Sequence, residues 1–214
     1  MRDNLVQKKK KFQEINKILR RLFSKAETVL KHKNPWELLV ATILSAQTTD
    51  VAVNKITERL FKKYRNLDDY AEVKPAKFSE DIKGVNYYKT KAKAIVQDAQ
   101  IIKKRFGGVL PRTMNEMLEL KGVARKTANI VLSSGFGIIE GIAVDTHVRR
   151  LSKLLGFTIY EDPKKIEVDL MQFIPKSRDW KEFPLRLIEY GRKYCPARPH
   201  NHKNCPLRKF YVKK

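Results

Sequence analysis

The sequence contains few cysteines and no long apolar stretch. Its two cysteines among 214 residues, Cys195 and Cys205, do not make the disulfide framework of a small secreted domain. No apolar run reaches about 18 residues, the length that suggests a membrane-spanning helix. The N-terminal residues MRDNLVQKKKKF are basic, but the apolar segment of a secretory signal does not follow them. We therefore expect a cytoplasmic protein with no membrane partner.

Acidic residues are also scarce, with 23 Asp and Glu against 46 Lys and Arg, and the formal net charge is +23. A lysine-rich or thermophilic proteome would raise glutamate as well. Binding to a polyanion explains the imbalance directly, because basic side chains neutralise phosphates and release counterions. An anionic membrane surface is disfavoured, since the sequence lacks an amphipathic anchor with an aromatic face. We expect a monomer that binds nucleic acid and is associated with the nucleoid.

Most segments repeat apolar residues at steps of three and four, which predicts amphipathic helices. Asn34 and Pro35 form a typical helix start, with a capping side chain followed by proline at the first helical position. Strand-like alternation is weak and limited to 109–110 and 158–160, and the loops between helices are short. The sequence therefore predicts an all-α fold.

The stretch LKGVARKTANIVL, which begins at Leu120, predicts a tight turn between two short helices. Gly122 permits a positive φ there, and the backbone N–H groups from 122 to 126 would then point outward from a helix N-terminus. Such an arrangement binds phosphate. The alternative is an ordinary packing corner between helices, and the basic charge of the chain favours phosphate.

Lys126 and Asp145 are each predicted to lie at a helix start. The helix dipole and the neighbouring Arg125 disfavour the ammonium form of Lys126, which would lower its pKa toward that of a nucleophile. Each residue also has an ordinary role available, Lys126 as a solvated surface lysine and Asp145 as a helix N-cap. Together, an amine and a carboxylate that face a common cleft could act on one reacting carbon.

LKGVARKTANIVL and the later AVDTH resemble the helix-hairpin-helix motif and following aspartate of the endonuclease III family of base-excision DNA glycosylases. NPWELLVATILSAQTTDVAVNK and GRKYCPARPH extend the resemblance to about residues 30–205. It implies two helical lobes with a cleft between them. The lobes would be a six-helix barrel at about 28–138, with the helix-hairpin-helix at about 114–137, and a second lobe from about 1–27 plus 139–214.

By position, the resemblance makes Lys126 the nucleophile and Asp145 the residue that stabilises the oxocarbenium charge. Gln47, otherwise a polar helix cap, would fill the space left by the flipped base, and Tyr87 lies near a second wedge. The implied reaction proceeds through a Schiff base to β-elimination and strand cleavage. The other predicted DNA-binding residues are those of the hairpin: Lys121, Gly122, Val123, Ala124, Arg125 and Thr127.

The sequence departs from the family pattern in two places. Lys121 stands where proline is usual, and Ala124 stands where a second glycine is usual. The family's four-cysteine pattern C-x6-C-x2-C-x5-C, which holds an iron–sulfur cluster, falls here on Cys195, His202, Cys205 and Tyr211.

Because two of these ligands are missing and tyrosine is an unusual one, we predict that the degenerate loop 195–211 holds no cluster and no other metal cofactor. Zinc is the alternative, since Cys195, His200, His202 and Cys205 are suitable ligand types, although their spacing is unusual.

The function we predict is a bifunctional DNA glycosylase and AP lyase that acts on double-stranded DNA with an oxidised pyrimidine or an abasic site. One alternative is a related glycosylase for mismatched thymine, uracil or an oxidised purine. The other is a basic helical protein that binds DNA without chemistry, which would not need the pair Lys126 and Asp145.

Overall fold

The computed structural model describes residues 2–212, and this part of the chain is helical with short connecting turns. The helices are α1 (Arg2–Leu22), α2 (Pro35–Ser45), α3 (Asp50–Lys63), α4 (Leu67–Glu72), α5 (Pro75–Asp81), α6 (Tyr88–Arg105), α7 (Met114–Met117), α8 (Arg125–Ile130), α9 (Thr146–Leu154), α10 (Pro163–Phe173) and α11 (Asp179–Lys193). A π-helical turn, Val131–Gly135, continues α8, and 3₁₀ turns occur at His202–Asn204 and Arg208–Phe210.

The prediction of an all-α fold is confirmed. Over residues 2–212 there is no β-strand, and the weak candidates at 109–110 and 158–160 are irregular segments. An isolated bridge joins Lys83 and Val85. In the same range, none of the helices combines the length and the apolar character that crossing a bilayer requires.

The chain divides into two compact units, Thr28–Glu140 and the pair of segments Met1–Glu27 with Gly141–Lys214. We call the first the central unit and the second the terminal unit. The predicted lobe boundaries, 28–138 and 1–27 plus 139–214, stay a prediction. Of those lobes, residues 1, 213 and 214 lie outside the described residues.

The core of the central unit forms around α2 and α6. Asn34 caps α2 by accepting the N–H of Glu37 at 2.9 Å, and Pro35 occupies the first helical position, as predicted. Residues 38–44 that follow are almost entirely buried. α6 packs against α2, α4 and α5 along an apolar stripe that includes Ile95 and Ile102, so helical periodicity alone accounts for these contacts.

In the terminal unit, α1 packs against α10 and α11 through aromatic rings. The ring of Phe12 meets Phe183 edge-on with centroids 5.1 Å apart, and it meets Phe173 at 6.3 Å. Fully burying one such side chain contributes about 2–3 kcal/mol, so the first helix of the chain is firmly attached to helices that follow residue 140.

Candidate active site and metal-ligand loop

A buried carboxylate from α6 holds the turn that joins α7 to α8. The Asp98 side chain accepts the backbone N–H of Lys121 at 2.5 Å and that of Gly122 at 3.2 Å. Burial raises the pKa of the Asp98 carboxyl group to about 6, although both hydrogen bonds act against this shift. Because a buried donor without a partner costs about 1–3 kcal/mol, Asp98 fixes the path of this turn.

This pairing corrects the predicted conformation of the turn. Gly122 does not have a positive φ. Space beside the turn favours glycine instead, since a Cβ atom would lie 2.9 Å from Cδ1 of Ile43, at the end of a side chain, and 3.3 Å from Oδ2 of Asp98. The N–H of Gly122 points at Asp98 and not outward, and that of Lys121 does the same. Val123 is buried in the core of the central unit.

α8 begins without a side-chain cap, because its N-cap residue is Ala124 and a methyl group cannot accept a hydrogen bond. The N-cap residue therefore offers no side-chain acceptor to the first backbone N–H groups of this helix. Lys126 is exposed in the first turn of α8, Lys121 and Ala124 are exposed beside it, and Thr127 is half-buried. The structure thus places a primary amine at an uncapped helix start.

Gln47 and Tyr87 share an unusual backbone conformation. Among residues 2–212 they are the two non-glycine residues in the left-handed region, with φ of 56° and 58°. Asn86 links them, since its side-chain amide donates to the carbonyl of Gln47 and its backbone N–H donates to Oγ1 of Thr48 at 3.1 Å. Both side chains are exposed. Such backbone strain, of about 1–3 kcal/mol per residue, is typical of binding sites.

Lys91 holds the backbone that immediately precedes Gln47. Its ammonium group is buried and donates to the carbonyl oxygens of Leu44 at 2.8 Å and Ala46 at 2.6 Å. Burial lowers the pKa of Lys91, and the carbonyl groups at the end of α2 compensate for its lost hydration. The end of α2 is therefore fixed just before Gln47.

In the terminal unit, Asp145 is the N-cap of α9. Its Oδ1 accepts the N–H of Val148 at 2.8 Å, the capping role that was the ordinary alternative for this residue. His147 packs against α11 at Gly191, where a Cβ atom would lie 2.5 Å from Nδ1 of the ring. Lys126 belongs to the central unit and Asp145 to the terminal unit, so their joint action stays a prediction.

The prediction that the loop 195–211 holds no metal cofactor is wrong. The Sγ atoms of Cys195 and Cys205 and one ring nitrogen each of His200 and His202 all lie within 4.8 Å of one another. Both cysteines are buried, and both histidines are half-buried. Counting the family's cysteine positions led to this wrong prediction, whereas the zinc alternative had named these same four residues.

Local turns bring these four side chains together. At the end of α11, the N–H of Cys195 donates to the carbonyl of Tyr190 at 3.1 Å. The Asn201 side chain then caps the 3₁₀ turn by accepting the N–H of Lys203 at 2.8 Å, and the N–H of Cys205 closes that turn on the carbonyl of His202.

Tyr211 occupies the position of the family's fourth cysteine and has other partners. Its hydroxyl group pairs with that of Tyr190 at 2.8 Å, and its ring meets His202 edge-on at 5.1 Å. Burial raises the pKa of Tyr211, so its phenol stays protonated. The four family positions thus supply two thiols, an imidazole and a phenol, and this set does not fit a cluster that binds four thiolates.

Sequence reasoning missed Asp98, Lys91 and Arg150. Asp98 and Lys91 had a detectable signal, because each lies three or four residues from Ile95 on the apolar stripe of α6, where a charged side chain requires a buried partner. Arg150 had none. Its guanidinium group contacts Cys195, and nothing local distinguishes it from the many other basic residues.

Comparison with known proteins covers both units. The sequence model of the HhH-GPD superfamily base excision DNA repair proteins matches residues 40–176. Endonuclease III of Synechocystis sp. is 44% identical over 203 residues, which are 95% of this chain and 92% of that protein.

Two solved structures are similar over the same length. A non-covalent endonuclease III–DNA complex has a TM-score of 0.89 and 40% sequence identity, covering 95% of this chain and 94% of that one. A trapped endonuclease III–DNA covalent intermediate, an estranged-adenine complex, has the same TM-score and identity and covers 95% of both chains.

Proposed function

Since the chain belongs to the endonuclease III family of HhH-GPD base-excision DNA repair proteins, we propose that it removes oxidised pyrimidines from double-stranded DNA and cleaves the abasic strand. The chain is a DNA glycosylase with AP lyase activity. The choice of lesion and the residues that act on it are our proposal. The observation that carries the assignment of the nucleophile is the exposed amine of Lys126 in the uncapped first turn of α8.

Lys126 is the nucleophile in this proposal. Its neutral amine attacks C1′ of the extruded nucleotide, the new N–C bond replaces the glycosidic bond, and the base leaves with a proton. Ring opening of the sugar gives a Schiff base on Lys126. Loss of a proton from C2′ then breaks the C3′–O bond by β-elimination, which cleaves the strand, and water hydrolyses the Schiff base.

Asp145 supplies negative charge to this reaction. Its carboxylate stabilises the positive charge that develops on the sugar as the base departs. Its hydrogen bond to the N–H of Val148 supports this role, because a capped carboxylate keeps a fixed direction and still has lone pairs for a second contact. A cleft between two lobes, which would bring Asp145 to Lys126, is part of the same proposal.

DNA is held by the hairpin and by the two strained residues. Ala124, Arg125 and Thr127 offer the start of α8 to a phosphate, and Lys121 adds a positive charge beside them. Gln47 and Tyr87 enter the duplex where the damaged nucleotide has left it. Their left-handed backbone is already fixed in the free protein, so insertion costs little further conformational entropy. The enzyme works as a monomer in the cytoplasm, at the nucleoid.

Reductive trapping tests the role of Lys126. Incubated with a duplex that contains one abasic site and then with borohydride, the wild-type protein should form a covalent complex visible on a denaturing gel. Lys126→Ala should abolish it, whereas Lys62→Ala, which removes an exposed lysine of α3, should trap as efficiently as wild type. A complex that persists in Lys126→Ala would assign the nucleophile to another residue.

A panel of lesion duplexes tests the substrate. We expect the fastest base release from oxidised pyrimidines. Faster release of mismatched thymine, of uracil or of an oxidised purine would replace the proposed substrate but would leave the assignment of AP lyase activity unchanged. Tight DNA binding with neither base release nor trapping would leave only a DNA-binding protein.

A further inference from the structure

Three sulfur–nitrogen distances in the C-terminal loop match those between ligands of a single ion, and all four ligand atoms lie within 4.8 Å of one another. The Sγ atom of Cys205 lies 3.5 Å from Nε2 of His200 and 3.5 Å from Nδ1 of His202, and Sγ of Cys195 lies 3.8 Å from the same Nδ1. Zinc–sulfur and zinc–nitrogen bonds of about 2.3 and 2.0 Å in a tetrahedron would separate sulfur from nitrogen by about 3.5 Å.

We propose that Cys195, His200, His202 and Cys205 bind one zinc ion in tetrahedral coordination. The donor set of two thiolates and two imidazoles is one that structural zinc sites use. All four positions of the tetrahedron are taken by protein, so the site is structural and not catalytic. It would tie the end of α11 to the 3₁₀ turn that follows it.

The surroundings of His200 prepare it as a ligand. Its Nδ1 lies 3.0 Å from the carbonyl oxygen of Arg198, so the ring donates its Nδ1 proton there and presents the lone pair of Nε2. Nε2 is also the atom that faces Cys205. A metal-bound histidine commonly donates its other ring N–H to a carbonyl oxygen in this way, and this hydrogen bond fixes both its tautomer and its orientation.

Arg150 contacts Cys195 from outside the group of four ligands. Its guanidinium group donates to the carbonyl of Cys195 at 2.5 Å and approaches Sγ at 3.6 Å. These two contacts hold the backbone and the sulfur of Cys195 in a fixed position. Two thiolates also neutralise the double charge of zinc, so the loaded site carries no net charge into a buried position.

Iron–sulfur clusters fit these distances less well. The ligands of a four-iron cluster lie on the outer corners of a larger body and are farther apart than the ligands of a single ion. A two-iron centre of the Rieske type uses the same donor types, but its sulfurs bind one iron and its nitrogens the other. Here one nitrogen, Nδ1 of His202, lies within 3.8 Å of both sulfurs, which favours one shared ion.

The remaining alternative is a network of hydrogen bonds with no metal. In that arrangement the thiol of Cys205 would donate to the carbonyl oxygen of Tyr194, which lies 3.0 Å from Sγ. The two arrangements differ in whether the cysteines are deprotonated and bound, so metal content and thiol reactivity separate them.

Metal analysis of the untagged full-length protein, purified without chelators, is the first test. We expect one zinc ion per chain, no visible absorption, and both thiols unreactive toward a disulfide reagent until a chelator is added. Iron with acid-labile sulfide and a brown or red colour would overturn the proposal in favour of a cluster. Metal-free protein with freely reactive thiols would overturn it in favour of the network.

Cobalt substitution is the second test, and it does not depend on any variant folding. Co(II) in place of zinc should give the intense visible bands of a tetrahedral ion and a sulfur-to-metal charge-transfer band. Weak bands typical of six-coordinate cobalt would overturn the proposed geometry.

Variants then assign the ligands. His200→Asn should reduce the bound zinc of dialysed protein to a small fraction of wild type, and Arg150→Met should weaken zinc binding about tenfold to a hundredfold, as changes to residues that contact metal ligands do. His32→Asn is the matched control, because His32 is a half-buried histidine of the central unit, and it should keep its zinc. Unchanged zinc in His200→Asn would remove that residue from the site. None of these measurements uses DNA, so they can fail independently of the proposed function.

Discussion

The hairpin turn and the C-terminal loop both depart from the family pattern, and they are held in different ways. In the hairpin, a buried carboxylate binds the backbone, so side chains at the exposed positions Lys121 and Ala124 can change without altering the turn. In the loop, the side chains contact one another. If one position no longer carries a metal ligand, another side chain must supply the missing ligand atom. In the proposed zinc site His200 fills this role from a position outside the cysteine pattern.

The largest expected effect on stability comes from the support of the hairpin. Asp98→Ala leaves two part-buried N–H groups unpaired and should lower the free energy of unfolding by about 2–5 kcal/mol. Thermal and denaturant unfolding measure this change. Asp68→Ala, which removes an exposed ion pair with Lys103, should cost less than about 1 kcal/mol. Equal losses in the two variants would mean that Asp98 does not hold the turn.

A chelator should act on the loop and not on the hairpin. Removing zinc abolishes a stabilisation of about 3 kcal/mol, the value expected when free zinc exceeds its dissociation constant a hundredfold. Hydrogen exchange should therefore accelerate in residues 195–211 while protection at 118–124 is retained. Cys205→Ser should show no further response to the chelator. Equal loss of protection in both segments would contradict the view that zinc holds the loop and Asp98 holds the hairpin.

The smallest expected effect concerns the space beside the turn. Gly122→Ala introduces a Cβ atom 2.9 Å from the end of the Ile43 side chain, which can move slightly. We expect a loss of about 1 kcal/mol in unfolding free energy, typical of mild overpacking, because the backbone itself is not left-handed. A loss several times larger, or a melting temperature raised above wild type, would show that the tight contact is described wrongly.

The local sequence was sufficient to predict the helices and the start of α8. The periodicity of apolar residues predicted the helices, and Asn34 with Pro35 predicted the start of α2, because these signals depend on neighbours within one or two turns. The position of Lys126 in the first turn of α8 was predicted for the same reason. Its nucleophilic role came from the resemblance and stays a prediction.

Contacts between distant residues account for what the sequence did not show. Asp98 lies 23 residues before Lys121, so the spacing within the hairpin gave no sign that its N–H groups were already paired. The metal-ligand loop is a different case. Residue types alone suggested its four ligands as the zinc alternative, but their unusual spacing led to the prediction of no metal. The ligand distances depend instead on how the 3₁₀ turn at His202–Asn204 folds.

The C-terminal loop also bears on how the protein is supplied with metal. Zinc has no redox chemistry, unlike iron in a sulfur cluster, so peroxide or superoxide would not change the oxidation state of an ion held by Cys195 and Cys205. Folding of a chain stabilised in this way would draw on zinc and would not need cluster assembly. A cell starved of iron could then keep this repair enzyme in service at the time when oxidative damage to its DNA is being repaired.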